Sequence, residues 1–155
     1  MMPLAAITEL LEYLGEDPTR DGLLDTPRRV CRALAELTAG YHEDPAAVLG
    51  PAFDVPHDAM VVVRGIRFTS LCEHHMLPFV GTADIGYLPG GRLLGLSKLA
   101  RLLNVYARRL QVQERLTLQV AEALMEHGQA KGVGVIVRAV HSCKIGRASC
   151  RERVY

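Results

Sequence analysis

Apolar residues open the chain at helical spacing. Leu4, Ile7, Leu10, Leu11 and Leu14 fall on one stripe, and Gly15 follows as a stop signal. The polar stretch 16–22, with Pro18 and Gly22, interrupts it. Thr26-Pro27 predicts a second helix, with Thr26 as N-cap and proline in the first position. Val30, Ala33, Leu34 and Leu37 form its inward stripe, and Gly40 ends it. Residues 41–58, broken by Pro45, Pro51 and Pro56, read as a linker.

Beyond the linker the period changes. Residues 60–69 are valine-rich and end in the alternation Ile66, Arg67, Phe68, Thr69, which predicts a strand. Residues 79–88 predict a second strand, closed by the turn Pro89-Gly90-Gly91. Ser97 is expected to cap a helix striped by Leu99, Leu102, Leu103, Tyr106 and Leu110. A further helix is expected over 113–127, with Leu116, Val120, Ala123 and Leu124 inward, and a third strand over 133–143. The order strand, strand, helix, helix, strand predicts an α+β domain whose antiparallel sheet carries two helices on one face. The expected division is an N-terminal helical region over 1–58 and a domain over 59–143.

Composition narrows the class. The chain has 155 residues, 49% of them apolar, with no apolar run near the roughly 18 residues of a membrane span. The start of the chain shows no secretory signal, so a cytoplasmic protein with no membrane partner is expected. Eighteen basic residues against 17 acidic give a net charge of +1, which argues against a nucleic-acid partner. Four scattered cysteines are too few for a disulfide scaffold. Cys31 sits beside the second helix's apolar stripe, where burial is its expected fate.

Candidate chemistry concentrates in two places. Cys72-Glu73-His74-His75 puts Cys72 and His75 three residues apart, so a tight turn or one helical turn brings both side chains to one point. His141 and Cys143, two apart on the expected strand, project from one face. Cys72, His75 and Cys143 are the expected metal ligands, with His74 and His141 handling protons beside the metal. Spacing alone leaves a closed structural site, with two Cys and two His, equally open. Arg28, Arg29 and Arg32 crowd the second helix's start, and Lys98 and Arg101 lie in the first turn after Ser97. Two cationic helix starts suit a polyanion, although exposed helix faces commonly carry such residues. In the polar run 111–115 a carboxylate such as Glu114 can accept two hydrogen bonds from a guanine-like edge.

These residues together resemble a known family. Leu14-Gly15-Glu16-Asp17-Pro18 with Arg20, Gly22 and Thr26-Pro27-Arg28-Arg29-Val30 is similar to the N-terminal signature of GTP cyclohydrolase I. Ser70-Leu71-Cys72-Glu73-His74-His75 resembles its zinc motif, and the blocks 95–101 and 108–117 resemble its two others. The resemblance implies zinc on Cys72, His75 and Cys143, water addition at C8 of GTP, and release of formate. The product would be 7,8-dihydroneopterin triphosphate, the first intermediate toward pterins and tetrahydrofolate. It implies proton transfer by His74 and His141, and help from Ser97 in the ribose rearrangement. Gln113 and Glu114 would read the guanine, and Arg29, Arg32, Lys98 and Arg101 would hold the triphosphate. The implied architecture is a tunnelling fold assembled into a toroidal homodecamer, with active sites between subunits.

After Cys143 the resemblance stops. Residues 144–155 lack helical or strand period and resemble one reading frame of a DNA sequencing adapter. An artefactual tail is the expectation, with the family's last strand and helix missing and the sheet edge left bare. Arg147 falls where the family has a phosphate-binding arginine, a coincidence on this reading. Three other readings compete: a non-catalytic zinc-stabilised domain, a deazaguanine nitrile reductase of the same superfamily, and a zinc nucleobase deaminase. The Cys-Glu-His-His block counts against the second, and the missing Pro-Cys-x-x-Cys pattern counts against the third.

Overall fold

The computed structural model describes residues 2–54, 57–144 and 150–154, the last stretch by its backbone. Two compact units emerge, Met1–Thr38 and Ala39–Tyr155.

The first unit holds α1 (Leu4–Tyr13) and α2 (Thr26–Leu37). No residue of α1 is buried, and its stripe residues Leu4 and Leu10 remain 41% and 48% exposed. Asp25, rather than Thr26, occupies the N-cap of α2, and it makes no side-chain capping bond. Pro27 still fits, because N–H groups of the first turn have no acceptor within the helix. Cys31 is buried, as its place beside the stripe requires.

In the second unit the expected linker is partly regular, which corrects the reading of 41–58. A 3-10 turn covers Ala39–His42, and α3 spans Pro45–Leu49. The Asp44 side chain caps α3 by accepting the Ala46 N–H at 3.0 Å. Leu49 enters the core, and Phe53 bridges Leu93. Short helical turns of this kind leave too few periodic positions to be seen in sequence.

The sheet consists of β1 (Val61–Cys72), β2 (Pro78–Leu88), β3 (Leu110–Gln111), β4 (Gly132–His141) and β5 (Cys150–Val154), in the order β3-β1-β2-β4-β5. The long ladders β1–β2 and β2–β4 are antiparallel, as expected. β3 departs from that expectation by pairing parallel to β1, with Cys72 opposite Gln111. The bare edge expected at β4 is also corrected. β5 pairs antiparallel with it, from Ala139 opposite Cys150 to Val135 opposite Val154. Backbone pairing needs extended geometry and not side-chain alternation, so the tail's lack of period does not prevent it. Residues 145–149, with Arg147, lie outside the described residues.

Helices α4 (Leu96–Ala107) and α5 (Gln113–Glu126) cover one face of the sheet. Phe79, Ala83, Ile85 and Tyr87 of β2 and Val135 and Val137 of β4 meet Leu99, Leu102, Leu116 and Leu124 there. Each fully buried leucine contributes about 1.5–3 kcal/mol to holding these layers together. On the opposite face Val62, Val80 and Val140 are 46%, 50% and 65% exposed. Gly95, not Ser97, is the N-cap of α4, which places Ser97 inside the first turn. Among the described residues no helix is long and apolar enough to cross a membrane.

Candidate metal centre

β1 delivers Cys72, 4% exposed, into a closed turn. The Cys72 N–H donates to Leu77 O and the Met76 N–H to Cys72 O, each at 2.8 Å. Met76 takes a left-handed φ of 54°, the local strain that lets the chain double back. The turn leaves Cys72 Sγ 3.8 Å from His75 Nδ1 and 3.8 Å from His74 Nδ1.

The third donor, the Cys143 sulfur, arrives by a route the sequence did not reveal. β4 ends at His141, and Cys143 lies in the 3-10 turn Ser142–Lys144 rather than on the strand. That turn, and not strand pleating, brings Cys143 to the other donors. The ligand atoms of Cys72, His75 and Cys143 lie within 4.8 Å of one another, close enough to hold one metal ion. Neither His74 nor His141 joins this group among the described residues. Burial pushes the Cys143 thiol up, and the hydrogen bond and charge of Cys72 add to the shift. A cation held by these residues would act in the opposite sense and favour thiolate.

His141 stands beside this group with a fixed orientation. Its ring stacks on Phe79, with centroids 4.5 Å apart and planes parallel. Gln113, the first residue of α5, donates its amide N–H to Val137 O at 3.1 Å. The amide oxygen therefore faces His141 Nε2, at 3.0 Å. This assigns the imidazole proton to Nε2 and leaves Nδ1 as the acceptor. Burial, then the charge of Lys144, pulls the His141 pKa down, with Glu114 opposing. His141 is accordingly neutral near pH 7.

The three donors, His74, Gln113, Glu114 and His141 all line one cleft of about 210 Å³. Of the residues expected there, Glu114 is exposed and free to meet a ligand, whereas Gln113 is only 1% exposed. Ser97 and Arg101 are exposed on α4, and neither lines this cleft. Lys98 donates to the carbonyls of Leu49 and Pro51 and so closes the end of α3. Arg29 and Arg32 are exposed on α2, and Arg29 pairs with Asp25 at 3.3 Å.

Sequence reasoning missed a second layer of polar contacts. Arg115 pairs with Glu73 inside the metal turn, and its Nη2 and Nε donate to Leu110 O and Gln111 Oε1, both at 3.0 Å. Gln111 in turn donates to Tyr106 O at 3.0 Å and to Gln119 Oε1 at 2.8 Å. The only signal was the i, i+4 spacing of Gln111, Arg115 and Gln119, which alone is unremarkable.

The family model for GTP cyclohydrolase I matches residues 4–153. Similar proteins include the GTP cyclohydrolase 1 of Corynebacterium glutamicum, 55% identical over 141 residues, covering 90% of this chain and 72% of that protein. The GTP cyclohydrolase 1 of Chlorobium phaeovibrioides is 53% identical over 92% of this chain, with 64% of its own length covered. That of Campylobacter lari is 52% identical over 89% of this chain and 73% of its own. The chain thus spans 64% to 73% of the length of these relatives. With the motifs, the folded metal group and these matches in agreement, the chain belongs to the GTP cyclohydrolase I family.

Proposed function

We propose that this chain is a zinc-dependent GTP cyclohydrolase I, opening the guanine imidazole ring of GTP to give formate and 7,8-dihydroneopterin triphosphate. The observation that carries the proposal is the convergence of Cys72, His75 and Cys143 beside a neutral, oriented His141 in one cleft.

Zinc is the metal that suits this donor set. Zn–S bonds near 2.3 Å and Zn–N bonds near 2.0–2.1 Å at a tetrahedral angle place sulfur and nitrogen about 3.6 Å apart. Cys72 Sγ and His75 Nδ1, at 3.8 Å, already stand close to that spacing. Among the described residues three donors group together and His74, although 3.8 Å from Cys72 Sγ, stays outside the group, which favours an open catalytic site over a closed structural one. Zinc held there supplies Lewis acidity, which makes water a competent nucleophile near neutral pH.

The chain's own residues do the rest. Glu114 accepts hydrogen bonds from guanine N1–H and the 2-amino group and so sets the base in the cleft. His141, neutral and protonated on Nε2, accepts a proton at Nδ1 and returns it as the ring opens. Gln113, buried with both ends of its amide engaged, serves the guanine site by holding His141. His74 moves protons nearer the ribose, and Ser97 assists its rearrangement. Arg29, Arg32, Lys98 and Arg101 take the triphosphate. Lys98 has three donors and gives two to backbone carbonyls, which leaves one for a phosphate oxygen.

Binding sites for whole ligands usually measure about 300–1,000 Å³. A cleft of about 210 Å³ suits the base and leaves the triphosphate to be enclosed by another wall. A neighbouring copy in a homodecamer supplies that wall, and the exposed valines 62, 80 and 140 are apolar surface such an assembly covers. The free thiols of Cys31, Cys72 and Cys143 suit the reducing cytoplasm.

The test is incubation of the zinc-loaded chain with GTP, with formate and the dihydroneopterin product measured together. Turnover that is lost in His141→Ala supports the proposal. A chain that holds zinc and turns over no GTP is instead a non-catalytic, zinc-stabilised member of the fold.

A further inference from the structure

We infer that Arg115 and Glu73 form a clasp that positions the metal-binding turn against the start of α5, and that metal affinity depends on it. This inference rests on the metal reading of Cys72, His75 and Cys143.

Glu73 lies between two residues of the turn that face the cleft, Cys72 and His74, and its backbone N–H donates to Gln111 O at 3.0 Å. One oxygen of its carboxylate meets the guanidinium of Arg115, and the other lies 3.8 Å from His74 Nε2. Arg115 is in the first turn of α5, two residues after Gln113 and one after Glu114. The guanidinium also donates to Leu110 O and to Gln111 Oε1, both at 3.0 Å. One planar group therefore ties the turn bearing Cys72 and His75 to the segment bearing Gln113 and Glu114.

The arrangement has a physical rationale. Met76 holds the turn in a left-handed conformation that ordinary residues resist, so the turn needs support from outside itself. His75 is exposed, and no core packing fixes it. A rigid fork that engages several acceptors at once restrains more than a flexible ammonium does. Groups that hold ligand-bearing segments typically alter metal affinity about 10–100-fold when removed.

The experiment is zinc titration of the metal-free full chain against a chromophoric chelator, together with thermal melting of the metal-free chain. The variants are Glu73→Gln, Arg115→Gln, Arg115→Lys and the double variant Glu73→Gln/Arg115→Gln. Glu73→Gln and Arg115→Gln are each expected to weaken zinc about 10–100-fold. The double variant is expected to be no weaker than Arg115→Gln, because the two residues act as one unit. Arg115→Lys, which keeps the charge and loses the fork, is expected to fall between Arg115→Gln and the unaltered chain. Glu73 has a third of its side chain in solvent (33%), so Glu73→Gln is expected to leave the melting of the metal-free chain unchanged.

Zinc binding by Glu73→Gln within about twofold of the unaltered chain overturns the clasp, whatever Arg115→Gln does. Weakened zinc with an equally lowered melting point of the metal-free chain also overturns it, because the pair is then ordinary framework. An unaltered chain that binds no zinc sinks the metal reading itself, a distinct failure.

Discussion

Gln113 and His141 come from different elements, the start of α5 and the end of β4, and meet through a 3.0 Å hydrogen bond at the cleft. Because Gln113 also donates to Val137 O, the amide cannot flip without losing that bond. Replacing Gln113 with Leu strands the His141 Nε2–H and removes the side-chain hydrogen bond to Val137 O. The expected stability loss is about 1–3 kcal/mol, read from urea unfolding. His141→Ala is expected to lower kcat by about 10²–10⁴-fold in the formate assay, with smaller changes in KM.

Removing the metal has two expected effects. A chelator abolishes turnover, and zinc restores it. Metal that binds only the folded chain also stabilises it, so the melting temperature falls on removal and rises with zinc concentration. Cys143→Ser is expected to weaken zinc binding in direct titration, because it replaces a soft thiolate with a poor ligand.

Glu114→Gln turns an acceptor-only carboxylate into an amide that presents a donor to the guanine edge. The expected result is a rise in the dissociation constant of GTP, with zinc content unchanged. Binding measured on the unaltered chain and on Glu114→Gln by isothermal titration checks this.

Asp84 lies on the exposed sheet face and supports stability in a pH-dependent way. The hydrogen bond from Arg138, at 2.7 Å, and the Gly65 N–H hold its carboxyl below the ordinary value of about 3.9. A lowered folded-state pKa contributes stability above the unfolded value, and this is lost as pH falls through the folded value. Acid unfolding of Asp84→Asn is therefore expected to be less steep below about pH 4. Partial exposure keeps the effect small and salt-sensitive.

Gly40→Ala tests the packing of the 3-10 turn on α4. A Cβ at that position runs into Val105 O and lies 2.8 Å from Arg108 O, both rigid backbone. The Gly40 N–H to Arg108 O bond, at 3.0 Å, cannot persist if the backbone retreats. A loss of about 1–3 kcal/mol is expected in denaturant melts.

The long elements were legible because their periods are long. The β2 alternation and the α5 stripe place Ile85, Tyr87, Leu116 and Leu124 in the core where the pattern requires. β3 was not legible, since two residues, Leu110 and Gln111, carry no period. Cys72, His75 and Cys143 were legible by chemistry alone, and the 3-10 turn that delivers Cys143 was not. Gln111 and Gln113 belong to a run whose polarity suits solvent or a ligand equally, yet both are 1% exposed. Their burial is set by partners remote in sequence, Tyr106 O and Val137 O, which no local pattern encodes. The stripe of α1 shows the reverse limit, an apolar pattern of which Ile7 and Leu11 are only half-buried and no residue is fully buried.

The position of Cys143 also orders events during synthesis. Cys72 and His75 leave the ribosome early, but the ligand set stays incomplete until β4 and both covering helices have followed. The ends of β1 and β4 come together through the strand they share as neighbour, β2. A metal held by all three residues would therefore close on strands and helices already made, a seal on the scaffold rather than its seed.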